Sequence, residues 1–226
     1  MVSSVIEESI LGRASTKGYV DYQLYDLFNF ADPPHFRIDD YPFGGGSGMV
    51  MKPEPIFRAY DDAVKNVKST SDVRVIFPTP DGEVLTHQKA LELSKAEEVV
   101  FISGHYKGID QRIRDSIVTD EISIGDYVVT GGELPSLVIL DAMVRLIPGV
   151  LNSYESAETD SFAANLLDWE HYTRPENYNG MNVPKVLLSG HHRKIDEWRH
   201  DKQINKTRER RPDVWKKYQD SKDKED

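Results

Sequence analysis

The chain has 226 residues, 38% of them hydrophobic and 29% charged, a formal net charge of −10 at pH 7 and no cysteine, which is enough for one large core or a core domain plus a smaller one. The missing cysteine excludes disulfides, thiolate nucleophiles and Cys-ligated zinc or iron–sulfur sites, so any catalysis rests on carboxylates, histidines, arginines or a bound cofactor. No apolar run approaches the roughly 20 residues that cross a bilayer, and "MVSSVIEESILGRA" carries acids where a secretory signal carries bases, so a cytoplasmic protein with no membrane partner is expected.

The first predicted element is a helix over "SSVIEESILGRASTKG", capped by Ser3 or Ser4 and ended by Gly18. "YVDYQLYDL" then alternates like a half-buried strand. Pro33, Pro34, Pro42 and Gly44 to Gly46 forbid regular structure until a helix begins near Pro53 to Pro55. Three strand-like runs follow, "VRVIFPTP", "VVFISGHY" and "ISIGDYVV", the first two separated by the helical pattern "HQKALELSKAEE". This reads as β-α-β with a parallel sheet. From about Leu134 to Ile147 a helix is apolar nearly all round except at Asp141 and Arg145, so it is buried against the sheet or against a second subunit. The polar stretch "NSYESAETDSFAANLL" reads as a linker, and a small helical module starts near Trp169.

Each of the three strands ends in a loop bearing Pro or Gly: "FPTPDG", "SGHYKG" and "VVTGGELP". Small molecules bind beyond the carboxyl ends of parallel strands, where glycine lets backbone approach a ligand directly. One such loop is an ordinary turn; three together point to a site. Neither G-x-G-x-x-G nor G-x-x-x-x-G-K-[ST] follows these strands, so dinucleotide and P-loop sites are unsupported. "GGGSG" at Gly44 to Gly48 follows Asp39 and Asp40, whose charge repels phosphate, and reads as a flexible loop that a substrate can order.

Charge is unevenly spread. Trp169 to Lys217 holds twelve Lys or Arg against seven Asp or Glu, a net of +5, with His171, His191, His192 and His200 in the same stretch. The tail from Tyr218 carries −2, which leaves −13 on Met1 to Asp168. A basic module on an acidic body is either a solvated helical surface or a local nucleic-acid face.

"DDYPFGGGSGMVMKPEPIF", "SGHYKGIDQRI", "SIGDYVVTGGELPSLVILDAMVRLIPGVL", "ETDSF", "LLDWEHYTRPENYNGMNVPKVLLSGHHRKIDEWR" and "TRERRPDVW" together resemble, in order and from about residue 5 to residue 217, the bacterial tRNA (guanine-N1)-methyltransferases that act at position 37 beside the anticodon. The resemblance implies an α/β fold of the SPOUT type, a parallel sheet with a deep trefoil knot, plus a small α-helical C-terminal domain. The divisions it suggests are a knotted cofactor-binding domain over 1–152, an interdomain linker over 153–168 and a helical tRNA-binding domain over 169–226. It implies S-adenosylmethionine bent between the three loops, with contacts from Pro80, Gly104, Tyr106, Ile124, Gly125, Tyr127, Val129, Gly131, Gly132 and Pro135. It implies a homodimer with the active site at the subunit interface, tRNA as partner, and magnesium as a further cofactor, for which no carboxylate cluster stands out.

Guanine N1 carries a proton at neutral pH, so methylating it needs a general base, and charge developing on O6 needs a cationic partner. By resemblance Asp160 is the base and Arg145 the O6 partner. Taken alone, an Asp before Ser is usually a helix cap, whereas an Arg in an apolar helix must find a partner. Asp39 and Asp40 match a region that holds the target guanine and its 5′ neighbour. Arg193, Lys194, Arg199 and Arg208, with Lys185, Lys206, Arg210, Arg211, His191 and His192 nearby, are available to the RNA backbone.

Two departures mark this chain. Relatives usually open with an apolar strand ending in "LFPE", which is missing from the sequence given, and its neighbour's edge is expected to be exposed. Where many relatives carry an acid in "YEGIDER", this chain has Lys107, so the guanine-reading role is not assigned to it; Asp110 is the next carboxylate available, or Lys107 meets phosphate. The rival readings are a non-catalytic RNA-binding protein that keeps the fold, a methyltransferase acting on another RNA position, and a small-molecule nucleotide enzyme.

Overall fold

The computed structural model describes residues 1–67, 72–151 and 160–223, which fall into two compact units divided between Asn152 and Ser153. The β-branched run Val73, Val75, Ile76 builds the central strand of the first unit. Strand β3 (Val73–Val84) pairs in parallel with β4 (Glu98–Phe101) on one side and β5 (Asp120–Ser123) on the other. Successive side chains point to opposite faces of a strand. Val73, Val75 and Phe77 therefore pack under α3 (Pro53–Val64) and α5 (Gln111–Ser116), together with Ile56, Val64 and Ile113. Ile76 and Ile122 pack on the other face with Leu93 of α4 (His87–Leu93) and with Ile139 and Met143 of α6 (Glu133–Val144). The parallel β-α-β reading holds, and the unit is an α/β sandwich.

Several expectations are corrected. The N-terminal helix is broken into α1 (Val2–Ile6) and α2 (Ser9–Thr16), because Ser9 adopts φ +53. Ser3 and Ser4 lie inside α1 and cap nothing. Gly18 does end α2: at φ +76 its N–H bonds Ser15 O while Tyr19 N–H bonds Ala14 O, the paired closure that a left-handed residue permits. Residues 19–26 form no strand; Tyr22 packs against the cluster of Leu11, Ala14, Leu137 and Val144 instead. The glycine-rich region, expected to be irregular throughout, carries a minimal hairpin, β1 (Asp39–Asp40) against β2 (Val50–Met51). The second and third strands are shorter than their apolar runs, ending at Phe101 and Ser123, with the remaining residues forming loops.

The N-terminus of α6 abuts the loop after β4. Gly132 N–H donates to Gly104 O at 2.7 Å, and a Cβ on Gly132 would stand 2.5 Å from Gly104 N. Only glycine fits, because the obstacle is main chain.

Asp120 is the buried ion of the sheet. Its carboxylate accepts from Arg74 Nε at 2.8 Å and from the Thr119 hydroxyl at 2.6 Å, and lies 3.1 Å from Lys89 Nζ. Burial opposes its ionisation, yet these donors outweigh burial and bring its pKa from 3.8 down to about 2.

Among its described residues the second unit contains a hairpin of β6 (Asn177–Tyr178) and β7 (Met181–Asn182) and two α-helices, α7 (His192–Arg210) and α8 (Pro212–Lys222). Residues 153–159 of the expected linker lie outside the described residues. Residues 160–168 fold onto α7: Leu166 is buried, Leu167 N–H donates to Thr207 Oγ1 at 2.8 Å, and Lys206 Nζ donates to Asp168 O at 2.6 Å.

Two stability measurements follow from these contacts. A carboxylate whose folded pKa is depressed stabilises the fold above its unfolded pKa and loses that effect as pH falls through the folded value, so the Asp120 contribution, about 2 kcal/mol, disappears between pH 3.8 and about 2. Asp120→Asn, which leaves Arg74 with Glu92 and Lys89 with Glu83 and Glu92 as their remaining carboxylates, lowers urea-unfolding stability at pH 7 by about 2 kcal/mol and flattens that acid limb. Gly132→Ala costs more than about 2 kcal/mol in the same assay. Gly131→Ala costs less, because its Cβ meets mainly the movable end of Glu133.

Candidate active site

A bulge within β3 and the loops that follow β4 and β5 line one cleft of about 320 Å³, so "FPTPDG" does not end its strand as expected: the ladder resumes at Glu83. Pro80 belongs to the first wall, Gly104 and Tyr106 to the second, and Ile124, Gly125, Tyr127, Val129, Gly131, Gly132 and Pro135 to the third. All ten residues expected to touch the cofactor are thus brought together. The size lies at the lower end of small-molecule sites.

Glycine shapes the interior at defined points. Gly104 faces the Phe77 ring, whose Cε2 would lie 2.8 Å from a Cβ there. Gly125 sits at φ +140 with Tyr127 folded over it. Tyr106 is left-handed too, at φ +58, and a non-glycine residue held there stores about 1 kcal/mol of backbone strain. Its N–H donates to His105 Nδ1 at 3.0 Å, and the two rings meet edge to face. His105 was not singled out from the sequence, although it stands between Gly104 and Tyr106 in "SGHYKG". Ser136 was missed as well: on the first turn of α6, its hydroxyl lies 3.0 Å from that of Ser103.

The glycine hairpin borders this cleft. Lys107 N–H donates to Met49 O at 3.0 Å, Met51 N–H to Gly108 O and Asp110 N–H to Met51 O, so β2 zips onto the second loop. Gly48, at φ +93, has the Lys107 stem against its bare Cα. Asp39 and Asp40 stand on β1, with Asp40 Oδ1 accepting from Tyr41 N at 2.8 Å. Asp110, the alternative carboxylate, caps α5 and grips Arg112 through both oxygens at 2.8 Å; that guanidinium holds its pKa below the usual carboxylate value.

Arg145 follows the last turn of α6, flanked by buried Val144 and Leu146, at the end of the helix where the dipole favours a cation. Asp160 belongs to the second unit, and its carbonyl accepts from Ala163 N in a turn rather than at a helix start. In that unit, cations lie over aromatic faces: Arg199 over Trp169 and Arg208 over Trp215, each at 4.9 Å. Arg193 and Lys194 stand exposed on α7, Arg193 paired with Glu197. Lys206 and Arg211 are engaged within the unit, the first with Asp168 O and the second with Asp213.

Three bare-backbone loops around one cleft fit a small ligand such as a methyl donor. For magnesium, no group of three His or acidic side chains converges among the described residues. No described helix is long and apolar enough to cross a membrane.

The model of the family described as tRNA (Guanine-1)-methyltransferase TrmD matches residues 1–217. The tRNA (guanine-N(1)-)-methyltransferase of Clostridioides difficile is 51% identical, covering 95% of this chain and 93% of the relative. Those of Anoxybacillus flavithermus and Staphylococcus aureus are 52% and 50% identical over 97% and 96% of this chain and 89% and 87% of theirs. A match of this length, over a cleft built from the motifs that suggested it, means that the chain belongs to the tRNA (guanine-1)-methyltransferase family.

Proposed function

We propose that this protein transfers a methyl group from S-adenosylmethionine to N1 of the guanine at tRNA position 37. The observation that carries the reading is the convergence of all ten expected cofactor residues on one cleft. Family membership implies the SPOUT fold, in whose trefoil knot the loops of this cleft would take part.

S-adenosylmethionine supplies an electrophilic methyl on a sulfonium. The loops of Pro80, Gly104 to Gly108 and Ile124 to Gly132 hold it against bare backbone and exclude water. Asp160 accepts the proton that leaves guanine N1 as the nitrogen bonds carbon, and Arg145 donates to O6 while negative charge gathers there. On this reading, positioning of the methyl donor and the guanine supplies most of the acceleration. Asp39 and Asp40 face the guanine and its 5′ neighbour, and the target base must leave its stack to expose the N1 edge. The unit from Trp169 onward, with Arg193, Lys194, Arg199 and Arg208, takes the tRNA backbone, which makes affinity fall with salt despite the acidic body. A tRNA substrate places the work in the cytoplasm.

The same reading includes a homodimer. One stripe of α6 stays uncovered by its own unit: Leu134 is 49% exposed and Val138 48%, one turn apart, while Leu137, Ile139 and Met143 are buried. A partner covers that stripe and completes the site. Val138→Asp, which leaves the core untouched, yields a monomer in sedimentation with more than a tenfold loss of transfer; a fully active monomer would refute the shared site.

The function is tested by methyl transfer from labelled S-adenosylmethionine to tRNA transcripts that differ only at positions 36 and 37, with nuclease mapping of the product. Label confined to guanine 37 is expected. Label elsewhere identifies a different RNA specificity, and binding without transfer identifies a non-catalytic RNA-binding protein. Asp160→Asn lowers transfer at least about 100-fold and leaves cofactor affinity unchanged; wild-type turnover in that variant would falsify the base assignment.

A further inference from the structure

The first wall of the cleft is a bulge. Pro78 and Glu83 both register with Ile122 of β5, so Thr79 to Gly82 are extruded from the ladder. Pro78 and Pro80 have no N–H with which to anchor themselves. Side chains do it instead. The Thr79 hydroxyl bonds the Asp81 carboxylate, and Asp81 Oδ2 accepts from Arg114 Nη2 at 2.7 Å. The same guanidinium donates through Nε to Glu121 Oε1 on β5 at 2.7 Å. Its face lies 5.6 Å from the centroid of Phe77, the ring against which Gly104 of the second wall is packed. The turn is pressed inward as well, since a Cβ on Gly82 would stand 2.4 Å from the Glu121 carbonyl carbon.

We propose that Arg114 is a positioning residue for the methyl-donor cleft, fastening the Thr79–Gly82 bulge through Asp81 to β5 while backing Phe77 beneath Gly104. Arg114 does not line the cleft; Phe77, Thr79 and Pro80 do. A planar guanidinium suits the task because its forked donors grip two carboxylates on different segments at once, which an ammonium cannot do with the same geometry. The inference rests on the reading of this cleft as the S-adenosylmethionine site.

The decisive variant is Asp81→Ala in the full chain, because it frees the bulge while leaving Arg114 paired with Glu121. Asp81 is largely exposed, and an ion pair so open to water adds little to stability. Calorimetric titration with S-adenosylmethionine is expected to show affinity weakened about tenfold at an unchanged thermal midpoint. Steady-state assays are expected to show KM for the cofactor raised, with kcat and KM for tRNA unchanged. Arg114→Met weakens binding at least as much, and Arg114→Lys recovers part of the loss. Unchanged affinity in Asp81→Ala overturns the inference whatever Arg114→Met does, and so does a loss in Asp81→Ala that merely tracks a fall in thermal midpoint. Wild-type protein that fails to bind S-adenosylmethionine overturns the reading of the cleft itself, and this inference with it.

Discussion

Contact between two stretches of bare backbone, Gly132 against Ser103 and Gly104, is the constraint on which the rest of the first unit depends. It fixes where α6 begins, so it fixes which residues of that helix face the sheet and which are left outward. It brings the third loop alongside the second, which closes the cleft. Because the Gly132 N–H is spent on Gly104 O, the contact satisfies a helix-terminal donor as well as a packing demand. Burial on two flanks of α6, against β3 and β5 on one side and the N-terminal helices on the other, then holds the contact in place.

What could be read from the sequence, and what could not, divides along physical lines. Periodicity marks strands that are buried on both faces, and β3 emerged where its β-branched run lies. Pro and Gly in the loops pointed to a ligand site, whereas the ten residues came from the family resemblance and prove to share one cleft. Strand ends were not, because Ile102 and Ile124 remain apolar after the ladder stops; they are packed in the interior as loop residues. "YVDYQLYDL" alternates without pairing because packing against α2 and α6 produces the same pattern as a sheet face. His105 and Arg114 carried no pattern at all. Their importance comes from contacts between segments distant in sequence, which no local spacing records.

The second unit answers the charge asymmetry in a specific way. A helix as polar as α7 has no amphipathic face with which to build a core. Its order comes from Thr207, fully buried and bonded to Leu167 N–H, and from cations laid over Trp169, Trp198 and Trp215. Each of those pairs lays the cationic head of an Arg or Lys over an aromatic ring. The basic character left at the surface is that of exposed residues such as Arg193 and Lys194.

The cleft itself is unlike the protein around it. In a chain of net charge −10, no Asp or Glu lines it. Three acids behind its walls are paired: Asp81 and Glu121 with Arg114, Asp120 with Arg74 and Lys89. On the proposed reaction this has a kinetic consequence. A sulfonium gives up its positive charge as the methyl moves, so a free carboxylate beside it stabilises the ground state more than the transition state and slows transfer. A lining without carboxylates binds without that penalty. The acids of this fold serve instead to tie down the walls, and the cation they tie them with, Arg114, is kept off the face that meets the ligand.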